Sequence, residues 1–411
     1  MSQQSEVLGW SAFALRAHFL YLGGNMKKTI SLLLCLVIAI LSLTSCGIFS
    51  KPRLKFIRDG DGYAVKARLF TNYIDVEIPE KHFGRPVTKI APGAFEYTAH
   101  LRSVKIPDTV VEIGDSAFSG CDKLMTVNIP DSVTTIGANA FRSCKRLTNV
   151  ELPENIQEIK MGAFHDCDSI TSITIPKSIN KLSTGAFTNC DRLYVVYNNS
   201  KFEIKIEGEK ANDIFSRAVM IFDKDILTTR NDGYEYALNS ESFLYAYKDD
   251  KYYLMAYCGK NDTVTLPETI NGNEYEIHKM SGAINVVIPQ NITMLPENAF
   301  EKSYCLRSIT IPEGTTVIPK NAFAYCEGLN TVILPSSLTT IEYSAFYSCN
   351  GITKVYYKGT IESWKNISIE WYNTNLTGSA RFYFSAEKPL SDGRYWYLDS
   401  KGNIQEWNTE N

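Results

Sequence analysis

The sequence predicts a β-rich solenoid with short helical or 3₁₀ turns, made of two capped arrays of 23-residue repeats in tandem. Three observations predict it. Ala-Phe pairs end at Phe95, Phe118, Phe141, Phe164 and Phe187, a constant step of 23 residues, and the step returns at Phe300, Phe323 and Phe346. Each repeat carries a short run of alternating apolar and polar residues before a proline, as in Thr126-Val127-Asn128-Ile129-Pro130. Each array is flanked by segments that lack the Ala-Phe step but resemble one another. A fixed period in this range marks a solenoid, in which one repeat is one coil stacked on the last.

Within a repeat, Val127 and Ile129 alternate with Thr126 and Asn128, the period of a strand. Proline has no donor and stops the ladder at the same register in every coil; Pro107, Pro130, Pro153, Pro176, Pro312 and Pro335 hold this place. The chain then turns and lays down a second apolar pair, Val133 and Ile136. Ala140-Phe141 and Cys144 fill the far side, a large group beside small ones. One repeat cannot bury so many apolar groups alone. Stacked repeats can, because equivalent residues fall over one another about 4.8 Å apart, the spacing of paired strands. The outward strand positions then form an open surface: Ser103 and Lys105, Thr126 and Asn128, Asn149 and Glu151, Ser172 and Thr174.

The pattern I-P followed by A-F-x-x-C-x-x-L resembles the leucine-rich repeat of the BspA-like class. The resemblance covers nearly all of the chain after its leader. It implies a leucine-rich repeat solenoid of right hand and a bacterial surface protein used in adhesion or protein binding. It does not identify a ligand.

At the start, Met26-Lys27-Lys28 opens a positive region, Ile30 to Leu43 is an apolar core, and Leu43-Thr44-Ser45-Cys46 ends it with small residues before a cysteine. That is the pattern of a secretory signal, with Met26 as an alternative start. Its ending resembles a lipobox, which implies cleavage before Cys46 and lipidation of that residue. The alternative is a single spanning anchor over Ile30 to Phe49, which is just long enough but has no need of such an ending. Residues 1–45 are thus read as leader and residues 46–58 as tether. Residues 59–228 are the first array with its caps, residues 229–384 the second, and residues 385–411 an aromatic tail.

The caps are read from matched pieces. DGDGYAV at Asp59 and DGYEYALN at Asp232 open the two arrays. Ile204-Lys205-Ile206-Glu207 matches Ile367-Ser368-Ile369-Glu370, and Ser216 to Phe222 matches Ser379 to Phe384, which closes them. The boundary falls near residues 224–231. In the second array Gly282-Ala283-Ile284 stands where Gly-Ala-Phe is expected, and Ala299-Phe300 follows after 16 residues instead of 23. Distortion is expected there, and Cys305 is displaced with it. Tyr395-Trp396-Tyr397-Leu398 and the turn after it predict a hairpin, packed on the last coil.

Composition excludes some classes. Removing residues 1–45 takes away Glu6, Arg16, Lys27 and Lys28 and moves the net charge from −3 to −5. No basic patch suggests nucleic acid. Of ten cysteines, Cys121, Cys144, Cys167, Cys190, Cys326 and Cys349 repeat with the coils. Equivalent side chains point the same way, and no C-x-x-C occurs, so a buried apolar column is expected rather than a disulfide ladder or metal site. His165 beside Cys167 is the one arrangement that suggests a nucleophile pair; neighbouring repeats keep the cysteine without the histidine. No metal, cofactor or catalytic residue is expected. The sequence points to a lipid-anchored protein on the extracellular face of a bacterial membrane, binding a protein or other cell-surface macromolecule through the outward strand residues. The alternative is a carbohydrate-binding surface protein, which requires exposed aromatic platforms; the outward strand positions do not supply them.

Overall fold

Phe141 lies between Phe118 and Phe164, with ring centroids 5.2 Å away on either side and ring planes 9° and 7° apart. Phe95 and Phe187 extend the same stack in the first array, and Phe300, Phe323 and Phe346 form a second stack with spacings of 5.3 and 5.1 Å. Near-parallel rings with centroids farther apart than a face-to-face contact are offset, the arrangement the ring quadrupole favours. The computed structural model describes residues 54–68, 73–202, 214, 218–223, 226–389 and 393–407. The leader, Cys46 and the tether up to Arg53 lie outside the described residues. So do the matched cap pieces Ile204 to Glu207 and Ser216, and Lys224 at the expected boundary.

The repeats form parallel ladders in which a residue pairs with its equivalent 23 positions on. Ser103, Val104 and Lys105 pair with Thr126, Val127 and Asn128. A second ladder runs through Ile113, Ile136, Ile159 and Leu182. Between the two, the proline carbonyls close turns: Val110 donates to Pro107 at 3.1 Å and Val133 to Pro130 at 3.0 Å. On the far side each coil is a run of turns, and short helices are seen at Ile361–Lys365 and Thr374–Thr377. The reason is in the backbone. The residue before each Ala-Phe is left-handed, as at Ser116 (φ 54), Asn139 (φ 54), Gly162 (φ 68), Asn298 (φ 61) and Asn321 (φ 55). That conformation ends a helical turn and is tolerated best by Gly and Asn. It aims the following Phe N–H at the next coil, where Phe118 donates to Ala140 and Phe141 to Ala163, each at 2.7 Å.

The repeat cysteines are buried free thiols. Cys144 donates to the Phe118 carbonyl at 3.2 Å, Cys121 to Phe95 at 3.1 Å and Cys326 to Phe300 at 3.0 Å. Each thiol thus ties one coil to the phenylalanine of the coil before it.

The first array opens on a hairpin, Lys55–Asp59 with Gly62–Lys66, whose second strand pairs with Arg85–Ile90. The hairpin takes up the last residues expected to be tether, because Phe56 stacks on His82 at 3.8 Å and draws the chain onto the first coil. At the other end Ile226–Thr229 folds back on Met220–Asp223, so the expected boundary holds a strand.

The two arrays belong to one unit spanning residues 54–411, and they touch. The Thr171 hydroxyl donates to the Tyr257 carbonyl at 2.9 Å. Arg192, 8 % exposed, donates to the carbonyls of Lys279 and Glu301. The irregular coil is the point of contact. At Gly282 (φ 87) an added Cβ would meet the Tyr257 carbonyl at 2.1 Å and the Thr171 side chain at 2.8 Å, so only glycine fits. The displaced Cys305 donates to Ala283 at 3.5 Å instead of to a phenylalanine.

Candidate functional site

The outward residues of the first array can be followed one by one. Thr126, Asn128, Asn149, Glu151, Lys105 and Thr174 are exposed, and Ser103 and Ser172 are half-buried. Ser103, Lys105, Thr126, Asn128, Asn149 and Glu151 border one open groove of about 730 Å³. Asp75 and Glu77, one coil earlier, complete its wall; they pair in register with Ser103 and Lys105. The signal for them was the I-P ending at Ile78-Pro79, which marks the cap as carrying a strand of its own.

The groove has an internal order. Ser103 donates to the Asp75 carboxylate at 2.6 Å, and Lys105 pairs with Glu77 at 2.9 Å. That hydrogen bond holds the Lys105 ammonium above its ordinary value. Asn128 accepts from the Ile106 N–H at 2.7 Å and donates to the Ile106 carbonyl at 3.0 Å. Its amide therefore continues the backbone ladder of the preceding coil. Thr126 and Asn149 stay uncommitted. Of the three carboxylates on the groove, Glu77 is matched by Lys105 and Glu151 by Lys260 of the second array, which leaves the groove close to neutral.

Asn149 and Glu151 lie on no paired strand, for the ladder is interrupted at their coil. Glu151 pairs instead with Lys260 of the second array. Ser172 also turns to that array, donating to the Cys258 carbonyl at 3.4 Å. The open part of the surface is thus the first coils, and the later coils are covered. Val195 and Met220, which face the same way farther along, pack with Leu244 and Ala256 of the strands Phe243–Lys248 and Lys251–Tyr257. The second array repeats the arrangement. Tyr356 and Phe382 lie under the hairpin Tyr395–Leu398 with Ile404–Trp407, and Trp396 donates to the Tyr357 carbonyl at 3.1 Å. The sequence signal for this cover is a terminal strand that is apolar on both faces, as in Tyr194-Val195-Val196-Tyr197.

The Cys167 thiol is enclosed and donates to the Phe141 carbonyl at 3.1 Å, and burial pushes it well above its ordinary value. A protonated thiol in the core is no nucleophile. His165 meets the Asp166 carboxylate at 3.0 Å instead. Among the described residues no cluster of His, Cys, Asp or Glu has the composition to hold a metal ion.

The comparisons with known proteins agree with the repeat. The model of the BspA type leucine rich repeat region matches residues 67–204 and 250–377, about two thirds of the chain. Among solved structures, the T. pallidum leucine rich repeat protein is 31 % identical over 36 % of this chain and 69 % of its own, with a TM-score of 0.34. A leucine rich cell surface protein from Faecalibacterium prausnitzii is 24 % identical over 78 % of this chain and 97 % of its own, with a TM-score of 0.27. A leucine-rich repeat protein from Bacteroides ovatus is 18 % identical over 85 % and 99 %, with a TM-score of 0.35. No curated protein sequence matches significantly. With its repeats matched over both arrays, the chain belongs to the BspA-type leucine-rich repeat family.

Proposed function

We propose that this chain is a lipid-anchored bacterial surface protein that binds a protein or another macromolecule through the groove of its first array. One observation carries the reading. The outward faces of the later coils in both arrays are covered by the protein's own strands, whereas the first coils leave six polar outward residues on one open groove. A repeat array fixes its interior and leaves only such positions free for specificity. A standard interface buries roughly 800 Å² per partner, which takes several adjacent coils. The polar, nearly neutral lining suits hydrogen-bonded contact. The anchor rests on Leu43-Thr44-Ser45-Cys46.

Pulldown from host or neighbouring-cell surface extracts, run beside the paired variant Thr126→Arg with Asn149→Arg, tests the groove. A partner retained by the wild type and lost by a normally folded variant supports it; equal retention sinks it. Cys46→Ala tests the anchor. Release from the membrane or blocked processing is expected, and unchanged detergent partitioning and mass count against lipidation.

A further inference from the structure

The last coils of the second array present a surface of different chemistry. Trp371 is 82 % exposed and Tyr372 55 %, with Tyr343 and Tyr347 beside them about two fifths exposed. The rings meet edge to face: Tyr343 and Tyr372 at 5.2 Å, Tyr347 and Tyr372 at 5.9 Å. Tyr325 joins the cluster through Tyr347 at 5.3 Å. Single exposed aromatics are ordinary, but a contiguous group of this size marks an interaction site.

The rings are held outward by the backbone under them. Asn373, 2 % exposed, accepts from the Phe346 N–H at 2.9 Å and donates to the carbonyls of Glu342 at 2.9 Å and Glu370 at 3.0 Å. The Trp371 carbonyl accepts from Ser344 at 3.0 Å. Tyr372 sits at φ 67, a conformation that a bulky residue keeps only where its surroundings over-determine it.

Tyr347, Trp371 and Tyr372 wall an open cleft of about 450 Å³, and its remaining lining is amide and hydroxyl. The Asn375 amide donates to Asn350 Oδ1 at 3.1 Å, which leaves an amide donor on Asn350 and an acceptor on Asn375 uncommitted. None of the lining residues is charged, and none is aliphatic. The missing charge argues against phosphate-bearing ligands, which are held by Arg and Lys.

We propose that this cleft binds a neutral polysaccharide chain. The C–H faces of its sugar rings lie on Trp371 and Tyr372, and its hydroxyls exchange hydrogen bonds with Asn350 and Asn375. Flat apolar faces rimmed by paired donors and acceptors are what such a ligand offers, and rigid aromatic walls with a few convergent polar groups are what recognises it. The site lies in the other array from the groove assigned above, so the two readings stand or fall separately.

The test is electrophoresis of the purified protein in native gels cast with soluble neutral polysaccharides: a mixed-linkage glucan, a galactomannan, a mannan and a xylan. At least one is expected to retard the wild type. Trp371→Ala should weaken that binding about ten-fold or more at an unchanged melting temperature, as its exposure requires, and Asn350→Ala should weaken it less. Thr126→Arg with Asn149→Arg should leave the retardation intact. The inference is overturned if no polysaccharide in the panel retards the wild type. It is equally overturned if Trp371→Ala binds as the wild type does, or if the groove variant is the one that loses binding.

Discussion

The guanidinium of Arg192 in the first array donates to the backbone carbonyl of Lys279 in the second, and its other terminal nitrogen donates to Glu301. One planar side chain thus fastens two solenoids that are separate in sequence. The bonds are charge-assisted and nearly buried, so removing them leaves carbonyls without donors. Arg192→Ala should lower the stability of the whole by about 1.5–3 kcal/mol. Arg192→Lys should not restore it, because an ammonium cannot span two acceptors as a fork does. Urea denaturation of the three proteins checks this, and unfolding midpoints that coincide would mean the contact holds nothing.

Phe141 is fully buried between two other rings. Phe141→Ala should cost roughly 3–5 kcal/mol, as core phenylalanine truncations do. The cavity forms inside a column, so its loss is felt by the coils on both sides. A near-neutral shift in melting temperature would mean that stacking across coils contributes little.

The period of 23 residues made the interior legible, since each Phe, Ala and Cys can reach only its equivalent in the next coil. It said little about contacts between arrays. Arg192 stands at a position that holds Lys123 and Arg146 in other repeats, and nothing local distinguishes it. Trp371 and Tyr372 fall after the last Ala-Phe step, where the period no longer says which way a side chain faces. Gly282 was legible as a distortion, but its reason, the approach of the Tyr257 carbonyl and of Thr171 from the other array, is not in the neighbouring sequence. Of the outward columns, Thr126 and Asn149 were placed by alternation alone, whereas the involvement of Glu151 with Lys260 depends on tertiary contact.

The column thiols give the protein an alkaline limit. Burial pushes Cys121 and Cys349 up to about 12, against about 8.5 for a thiol in an unfolded chain. Below about pH 8.5 both states keep the proton, and the contribution is whole. Above it the unfolded chain releases protons that the folded one holds, so stability falls as pH rises towards 12. The melting temperature should therefore drop between pH 8 and pH 10.5, and Cys121→Ala with Cys349→Ala should make the drop shallower. Thiol-specific reagents should label the column only after denaturation. Rapid labelling of the native protein would show that the sulfurs are open to solvent.

Thr126 and Asn128 share a strand and a face, yet the structure gives them different tasks. Asn128 spends both ends of its amide on Ile106, closing a donor and an acceptor that the end of the short ladder leaves over. Thr126 is exposed and makes no such bond. Asn128→Ala should therefore cost stability, about 1–3 kcal/mol for a lost pair that leaves backbone groups unsatisfied. Asn128→Asp should be worse than its small change of shape suggests, because a carboxylate keeps the bond from the Ile106 N–H but sets a second acceptor against the Ile106 carbonyl. Thr126→Ala should change stability by less than about 0.5 kcal/mol, the usual range for an exposed site. Thermal denaturation of the three variants separates the cases before any ligand is known. Equal melting temperatures for Asn128→Ala and Thr126→Ala would mean that the Asn128 bonds are replaced by water at no cost. Asn128 would then count, with Thr126 and Asn149, among the side chains the groove holds free for a partner.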